Sequence, residues 1–505
     1  MRRLLISVGL LLASTVIMYG LVTISGDPLQ DLYEDQSPNK QAKIDQRIQI
    51  LELDKPVPQR YLSWAGGAAK CLVPGLSCDL GQSRTGQDVT ALLGDAISST
   101  LALVSASVVL AIVLGVSVGI VSALRQYSAF DYTLTFAAFL FFSLPVFWVA
   151  VLLKQYAAIQ LNDWLADPVV STLVVAVLAG LSGLIWASII GGDRRQRLLV
   201  FAAAAIATIA TLSYLSAVRW FAQPALGPAA VIAVSLAVGL VVTLLGSGIR
   251  RRGVLYASVA SAGLVGIVGT AASGWIETNA SWTVLAALAI AAAAVAAAIG
   301  YALGGMDRIP AIRSAVLSAL LAGGVVFLDL LLRAFPSYKD AVNGRVVATI
   351  GERTPNFTGT FWEVQIDLAT HLVLPTAALI LISFATYTRF TRASMLEVLN
   401  ADYVRTARSK GLTERTVVVN HAFRNALIPV ATLAAIDFGS VLGGAVITET
   451  VFGRKGLGSL LIDSVRNVDP NPVMGCYIVL AVSIVVFNML ADITYAYLDP
   501  RIRLS

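Results

Sequence analysis

Histidine and cysteine are nearly absent: the chain of 505 residues has two of the first and three of the second. His371 and His421 lie far apart and Cys71, Cys78 and Cys476 are scattered, so no group has the spacing of a metal site. No lysine follows a glycine, which removes the Gly-Lys step of a phosphate-binding P-loop and, with it, ATP hydrolysis of that kind by this chain. H-E-x-x-H is missing too. With no catalytic constellation, the chain reads as a non-enzyme that binds no cofactor of its own. Charge is also scarce, at 13% of residues, too little for a soluble domain of this length.

What fills the space is apolar: 57% of residues are hydrophobic. An apolar run from Leu4 to about Ile24 follows Arg2 and Arg3. It is longer than a signal-peptide core and no A-x-A site follows, so a retained first transmembrane helix is expected. Further runs lie near 97–124, 131–159, 169–190, 198–217, 228–247, 254–273, 282–303, 313–333, 369–388, 426–447 and 473–496. Runs of about 20 residues cross a bilayer as helices, because nothing in lipid would satisfy an open backbone. The expected fold class is therefore an all-α polytopic membrane protein with about 12 transmembrane helices.

The net charge of +6 then belongs to loops rather than to nucleic-acid binding. With Met1 inside, alternate loops carry Arg125, then Arg194, Arg195 and Arg197, then Arg250, Arg251 and Arg252, then Arg308 and Arg313, then the stretch 402–425, then Arg501 and Arg503. That alternation puts both termini in the cytoplasm. The outside stretches 25–96 and 334–368 are rich in Pro, Gly, Asp and Asn and should form small caps. Cys71 and Cys78 fall in the first, where either a disulfide or two free thiols is open. Cys476 reads as a packing residue. Asp329, alone in an apolar run, is either a functional carboxylate or one that pairs locally.

The stretch "DYVRTARSKGLTERTVVVNHAFRN", 402–425, is cationic between two apolar runs. From Glu397 to Lys410 the pattern is helical, with Leu396, Leu399, Tyr403 and Ala407 on one face. Gly411 should end that helix, and Thr413 should cap a second one reaching Phe423. Such a surface suits a protein partner, and it suits anionic lipid equally well.

Here the residues resemble a known family, the inner-membrane permease subunits of binding-protein-dependent ABC importers in the dipeptide, oligopeptide and nickel group. "DYVRTARSKGL" stands where that family has its EAA coupling motif, with Arg405, Thr406 and Ala407 at Glu-Ala-Ala and Gly411 at the following glycine. Arg405 departs from the acidic residue of the general motif. "MRRLLISVGLLL", "GDP" at Gly26 to Pro28, "LELDKPVPQRYLSW", "DLGQS" and "FSLPVFWVAVLL" resemble the family's N-terminal part; "HLVLPTAALILISFATYTRFTRASMLEVL", "HAFRNALIP", "ITETVFGRKGLGSLLIDSV" and "LADITYAYLDPRIR" resemble its end.

The resemblance implies a six-helix type I permease core interrupted by about six extra helices. The division is 1–24 first helix, 25–96 extracytoplasmic cap, 97–161 core helices two and three, 162–333 inserted module, 334–368 extracytoplasmic loop, and 369–505 the last three core helices with a coupling loop at 389–425. The insert is even-numbered, so it leaves the downstream topology unchanged; a packing shell is the preferred role, with a docking surface or a lipid-facing collar as alternatives. ATPase coupling is expected from Asp402, Tyr403, Arg405, Thr406, Ala407, Arg408, Lys410, Gly411 and Leu412. The translocation path is expected near Gly439, Gly443, Gly444, Phe452 and Gly453, with a re-entrant element between Thr448 and Asn471. Implied partners are a second related permease subunit, two ATPase subunits that use the ATP, and an extracytoplasmic solute-binding protein, all at the inner membrane. Implied cargo is di- or oligopeptides, with nickel or another small solute as the alternative. The rival reading is a self-contained secondary transporter or channel, although no internal repeat relates the two halves.

Overall fold

A computed structural model of the chain describes residues 2–71, 77–248 and 250–498, so Arg501 and Arg503 lie outside the described residues. Among the described residues there are helices and no strands, only an isolated bridge between Gln82 and Asp88. The helices relevant below are α1 (Arg2–Ile24), α2 (Lys40–Ile50), α3 (Val57–Lys70), α4 (Val89–Leu124), α5 (Ala129–Ser143), α6 (Val146–Ala166), α7 (Thr172–Ile190), α8 (Arg194–Ala217), α9 (Gly227–Gly246) and α10 (Arg252–Ala271). They continue with α11 (Ser273–Asn279), α12 (Trp282–Leu303), α13 (Arg308–Ala341), α14 (Phe361–Leu399), α15 (Asp402–Ser409), α16 (Arg424–Gly444), α17 (Val446–Val451), α18 (Leu457–Arg466) and α19 (Pro470–Leu498).

Among the described residues ten stretches are long and apolar enough to span a bilayer, and the pair α5–α6 makes an eleventh if it counts as one bent span. The apolar part of α1, Gly9–Ile24, is shorter. The run 131–159, expected as one span, is thus broken, with a bend of 100° between its halves. The cause is local: Leu144 and Pro145 are extended, and Pro145 has no N–H to continue the ladder, so it starts α6 instead.

The centre of the fold is the crossing of α4 and α14. Gly115 and Gly119 of α4 sit so close to α14 that an added Cβ would lie 2.5 Å from Tyr387 Cβ and 2.7 Å from Thr391 Cβ. Small residues four apart let two helix backbones meet where lipid supplies no hydrophobic drive. An ion pair locks one end of the crossing: Arg392 on α14 donates Nε and Nη2 to the two oxygens of Asp131 on α5, at 2.7 and 2.8 Å. Ser122 and the Tyr127 amide donate to the same carboxylate.

The helices α7 to α13, which include those expected as an inserted module, form two units of different character. In α9, α10, α12 and α13 the core is small, built on Val254, Ala257, Ala296, Ala311, Ala315 and Ala319. Gly300 lets α12 approach Ile312 Cα to 2.6 Å of an added Cβ. The pair α7–α8 instead stands at the periphery: Gly183 packs on the Phe201 ring, and α8 buries no residue at all. Asp329 proves to be paired locally, as its carboxylate meets Arg333 at 2.7 Å and accepts from the Leu226 and Gly227 amides at 2.8 and 3.2 Å.

Candidate functional site: the cationic segment and its anchoring

α14 runs for 39 residues and stops at Leu399. The helix expected from Glu397 to Lys410 is therefore two helices, broken at Asn400 and Ala401, because Ala401 is extended at the start of α15. The break rotates the face that was expected. Val404 and Ala407 turn inward and pack with Val417, whereas Tyr403 is half-exposed and its hydroxyl accepts from Asn425 Nδ2 at 2.9 Å.

Everything else on α15 points out. Asp402, Arg405, Thr406, Arg408, Lys410, Gly411 and Leu412 are all exposed. Arg405 lies 4.0 Å from Asp402, and the hydroxyls of Thr406 and Ser409 donate back to carbonyls one turn earlier. Gly411 has φ of +76°, a left-handed conformation that a side chain resists, and it reverses the chain after α15. Thr413 then caps the next turn by accepting from the Thr416 amide. Arg408 reaches across this turn to Glu414, with Nη2 to Oε1 at 2.7 Å; the guanidinium holds the Glu414 carboxyl below its usual range. A wide π-helical turn, Val417–Phe423, leads into α16. Beneath lies a cluster of Ala123, Met395, Val418, Ala422 and Ala426, which joins the ends of α4, α14 and α16.

Of the residues expected at the path, Phe452 packs against Val149, Ala150, Leu374 and Ala378, since its ring finds an apolar slot between α6 and α14. Gly453, at φ +59°, follows it in the turn, and the Phe452 carbonyl accepts from the Gly351 amide at 2.8 Å. Gly439 lies in ordinary contact with Ile484 and Phe487 of α19, and Gly443 and Gly444 fall at the end of α16. The stretch 448–471, expected to hold a re-entrant element, contains the end of α17 and all of α18. Cys71 and Cys78 are joined by a disulfide, and Cys476 is buried.

Sequence reasoning passed over a polar cluster at the end of the fold opposite α15. Glu449 on α17 is fully buried and accepts from Thr100 Oγ1 at 2.6 Å and from the Gly458 and Ser459 amides at 2.9 and 3.0 Å, so it caps α18. Arg454, buried beside it, donates to Ser99 at 3.3 Å and is drawn by the charges of Glu352 and Glu449; burial lowers its proton affinity. The only signal available was the run of acidic, basic and glycine residues within an otherwise apolar region. Sequence reasoning also passed over Gly115-Val-Ser-Val-Gly119, which has the G-x-S-x-G pattern of a nucleophile elbow. It lies within α4, with Ser117 Oγ donating to the Val113 carbonyl, so it is a helix-packing motif and not an elbow. Among the described residues no group of His, Cys, Asp and Glu is placed to hold a metal.

Residues 320–504 match the family described as the binding-protein-dependent transport system inner membrane component. The match opens inside α13, a helix of the stretch read as inserted, and includes all of α14 to α19. The chain is 46% identical over 138 residues to the dipeptide transport system permease protein DppB of Escherichia coli K12, covering 27% of this chain and 41% of that protein. It is 45% identical over 137 residues to the oligopeptide transport system permease protein AppB of Bacillus subtilis, covering 27% and 43%. It is 39% identical over 155 residues to the oligopeptide transport system permease protein OppB of Mycobacterium tuberculosis, covering 31% and 48%. The chain thus spans less than half the length of these curated relatives. Residues 320–504 are thus similar to an inner-membrane component of binding-protein-dependent transport systems, and the relatives matched are named as peptide permeases.

Proposed function

We propose that the chain is a transmembrane permease subunit of an ATP-driven importer, moved by a separate ATPase through residues 402–412. The observation that carries this reading is the form of the segment: a short cationic helix facing outward, clamped through Val404 and Ala407 to the end of a 39-residue helix in the matched domain. A push on α15 is therefore a push on α14 and α16. Packed helices with two discrete arrangements convert such a displacement into a switch of access between the two faces.

In this reading ATP is bound and hydrolysed by two partner subunits, and this chain holds no cofactor. A second, related permease completes the path, and a solute-binding protein delivers cargo from the side that carries the Cys71–Cys78 disulfide, where oxidising conditions sustain such a bond. Both termini and α15 then face the cytoplasm. Di- or oligopeptides are the proposed cargo, after the named substrates of the relatives.

A mild-detergent pull-down tests it, with tagged wild type compared against Arg405→Glu/Lys410→Glu and ATP hydrolysis assayed in the eluate. An ATPase should arrive with wild type and be lost or weakened with the variant, whose fold is untouched because both side chains are exposed. Peptide uptake into vesicles that continues without ATP would overturn the reading in favour of a self-powered transporter.

A further inference from the structure

Within the unit of α9, α10, α12 and α13 lies a cavity of about 470 Å³ with almost wholly apolar walls. α10 supplies Leu264 and Val268, α12 supplies Ala292 and Val295, and α13 supplies Gly323 and Phe327. Trp362 of α14 lines it at the end shared with Trp275. Leu264, Val268 and Val295 are also exposed, so the cavity opens sideways between α10 and α12, toward lipid.

Two observations distinguish this space from loose packing. Its floor is made by missing side chains: a Cβ on Gly323 or Gly324 would meet no atom within 4 Å. Away from the cavity, glycines in the same unit are closed upon, as Gly300 is by Ile312 Cα at 2.6 Å. In addition, the Trp362 indole N–H is buried without a partner, in a residue 2% exposed. Ser261, also on the wall, has an unpaired hydroxyl, but a serine can turn to the carbonyl one helical turn back. An indole has no such escape, and an unpaired donor in an apolar setting costs about 1–3 kcal/mol. An elongated apolar ligand with one acceptor oxygen answers both features.

The dimensions narrow the class. Along α12 the lining runs from Leu285 to Ile299, about 20 Å at 1.5 Å per residue. That exceeds the hydrocarbon depth of one leaflet, about 15 Å, so the cavity is long enough to take a whole acyl chain. Trp275, Trp282 and Trp362 gather at one end, with Trp282 and Trp362 both ringed against Phe361 at 5.6 and 5.3 Å. Such rings mark the interfacial level, where lipid ester carbonyls lie.

We infer that the cavity is a site for one acyl chain of a bilayer phospholipid, entering between α10 and α12 and offering its ester carbonyl to the Trp362 N–H. Trp362 stands on α14, so an occupied cavity ties the extra helices to the helix that ends at α15. This holds whether or not the chain is driven by an ATPase.

The test uses the full chain in vesicles of phosphatidylethanolamine and phosphatidylglycerol, doped with a phospholipid bearing a photoreactive diazirine on one acyl chain. After irradiation, labelled peptides are mapped. Labelling should concentrate on the cavity walls of α10, α12 and α13 and fall severalfold in Gly323→Leu, which fills the floor, while labelling of Leu198 and Ile206 on exposed α8 stays constant. Ala292→Phe fills the space from the opposite wall and gives the same reading if Gly323→Leu does not fold. Trp362→Phe keeps the shape, and its phospholipid should be washed out more readily by detergent. Equal labelling of the cavity and α8, labelling unchanged in both filling variants, or cross-linking of a second polypeptide in the cavity would each overturn the inference.

Discussion

Glu449 and Asp469 show how single buried carboxylates organise the end of the molecule away from α15. Glu449→Ala would strand the Thr100 hydroxyl, two amides of α18 and the neighbouring Arg454 charge. Removing one member of such a buried network costs about 3–5 kcal/mol, so the variant should melt well below wild type in a detergent thermal-shift assay. Asp469 behaves differently. Burial pushes its carboxyl up to about 6, with the Arg84 amide at 2.7 Å and the charges of Arg84 and Arg47 pulling the other way. The folded state therefore holds this proton more tightly than the unfolded chain, whose carboxyl titrates near 3.8. The associated stability is present at low pH and is lost as pH rises through about 4 to 6. Melting compared across that window should be flatter for Asp469→Asn; an identical slope would count against the assignment. Neither residue was legible beforehand, because a sequence displays the charge and not the amides that surround it. Arg405 and Lys410 were legible, since a cationic residue in an apolar chain has few places to go but a wet surface.

At the scale of elements, the apolar runs located most helices, and the errors lie at helix ends and breaks. Hydropathy is blind to direction, so it merged α5 and α6 across Pro145 and joined the end of α14 to α15 across Ala401. Gly411 was legible as a stop, and its φ of +76° gives the reason. Gly411→Ala should cost about 1 kcal/mol, the left-handed penalty, while Gly411→Pro should abolish coupled transport and leave membrane insertion intact, as read by uptake and by membrane fractionation. The α4–α14 crossing makes a sharper demand. Gly119→Val would drive a side chain into the Thr388 carbonyl, already 2.9 Å from a mere Cβ, and such overpacking costs about 1–3 kcal/mol or more. Its thermal shift should exceed that of Gly94→Val on the same helix, where an added Cβ meets nothing within 4 Å.

For the whole molecule, the apolar runs located the helices between α6 and α14 but did not show that they pack as two units. Both α7 and α8 read as ordinary spans, and only packing distinguishes a pair that buries almost nothing from a four-helix unit with its own core. Deleting α7 and α8 together should leave a folded chain with the orientation of α9 to α19 unchanged, because an even number of crossings is removed. Deleting α7 alone should invert or destabilise the helices from α8 onward, and accessibility of a cysteine placed in the α15 segment reads the difference. One further consequence belongs to α14. At 39 residues it is about 58 Å long, roughly twice the hydrocarbon thickness. Pro375 near its middle removes one rung of its hydrogen-bond ladder, supplying a fulcrum inside the bilayer. From Pro375 to Leu399 is an arm of about 36 Å, so a tilt of about 5° about that fulcrum swings the α15 end by about 3 Å, roughly half the pitch of a helix.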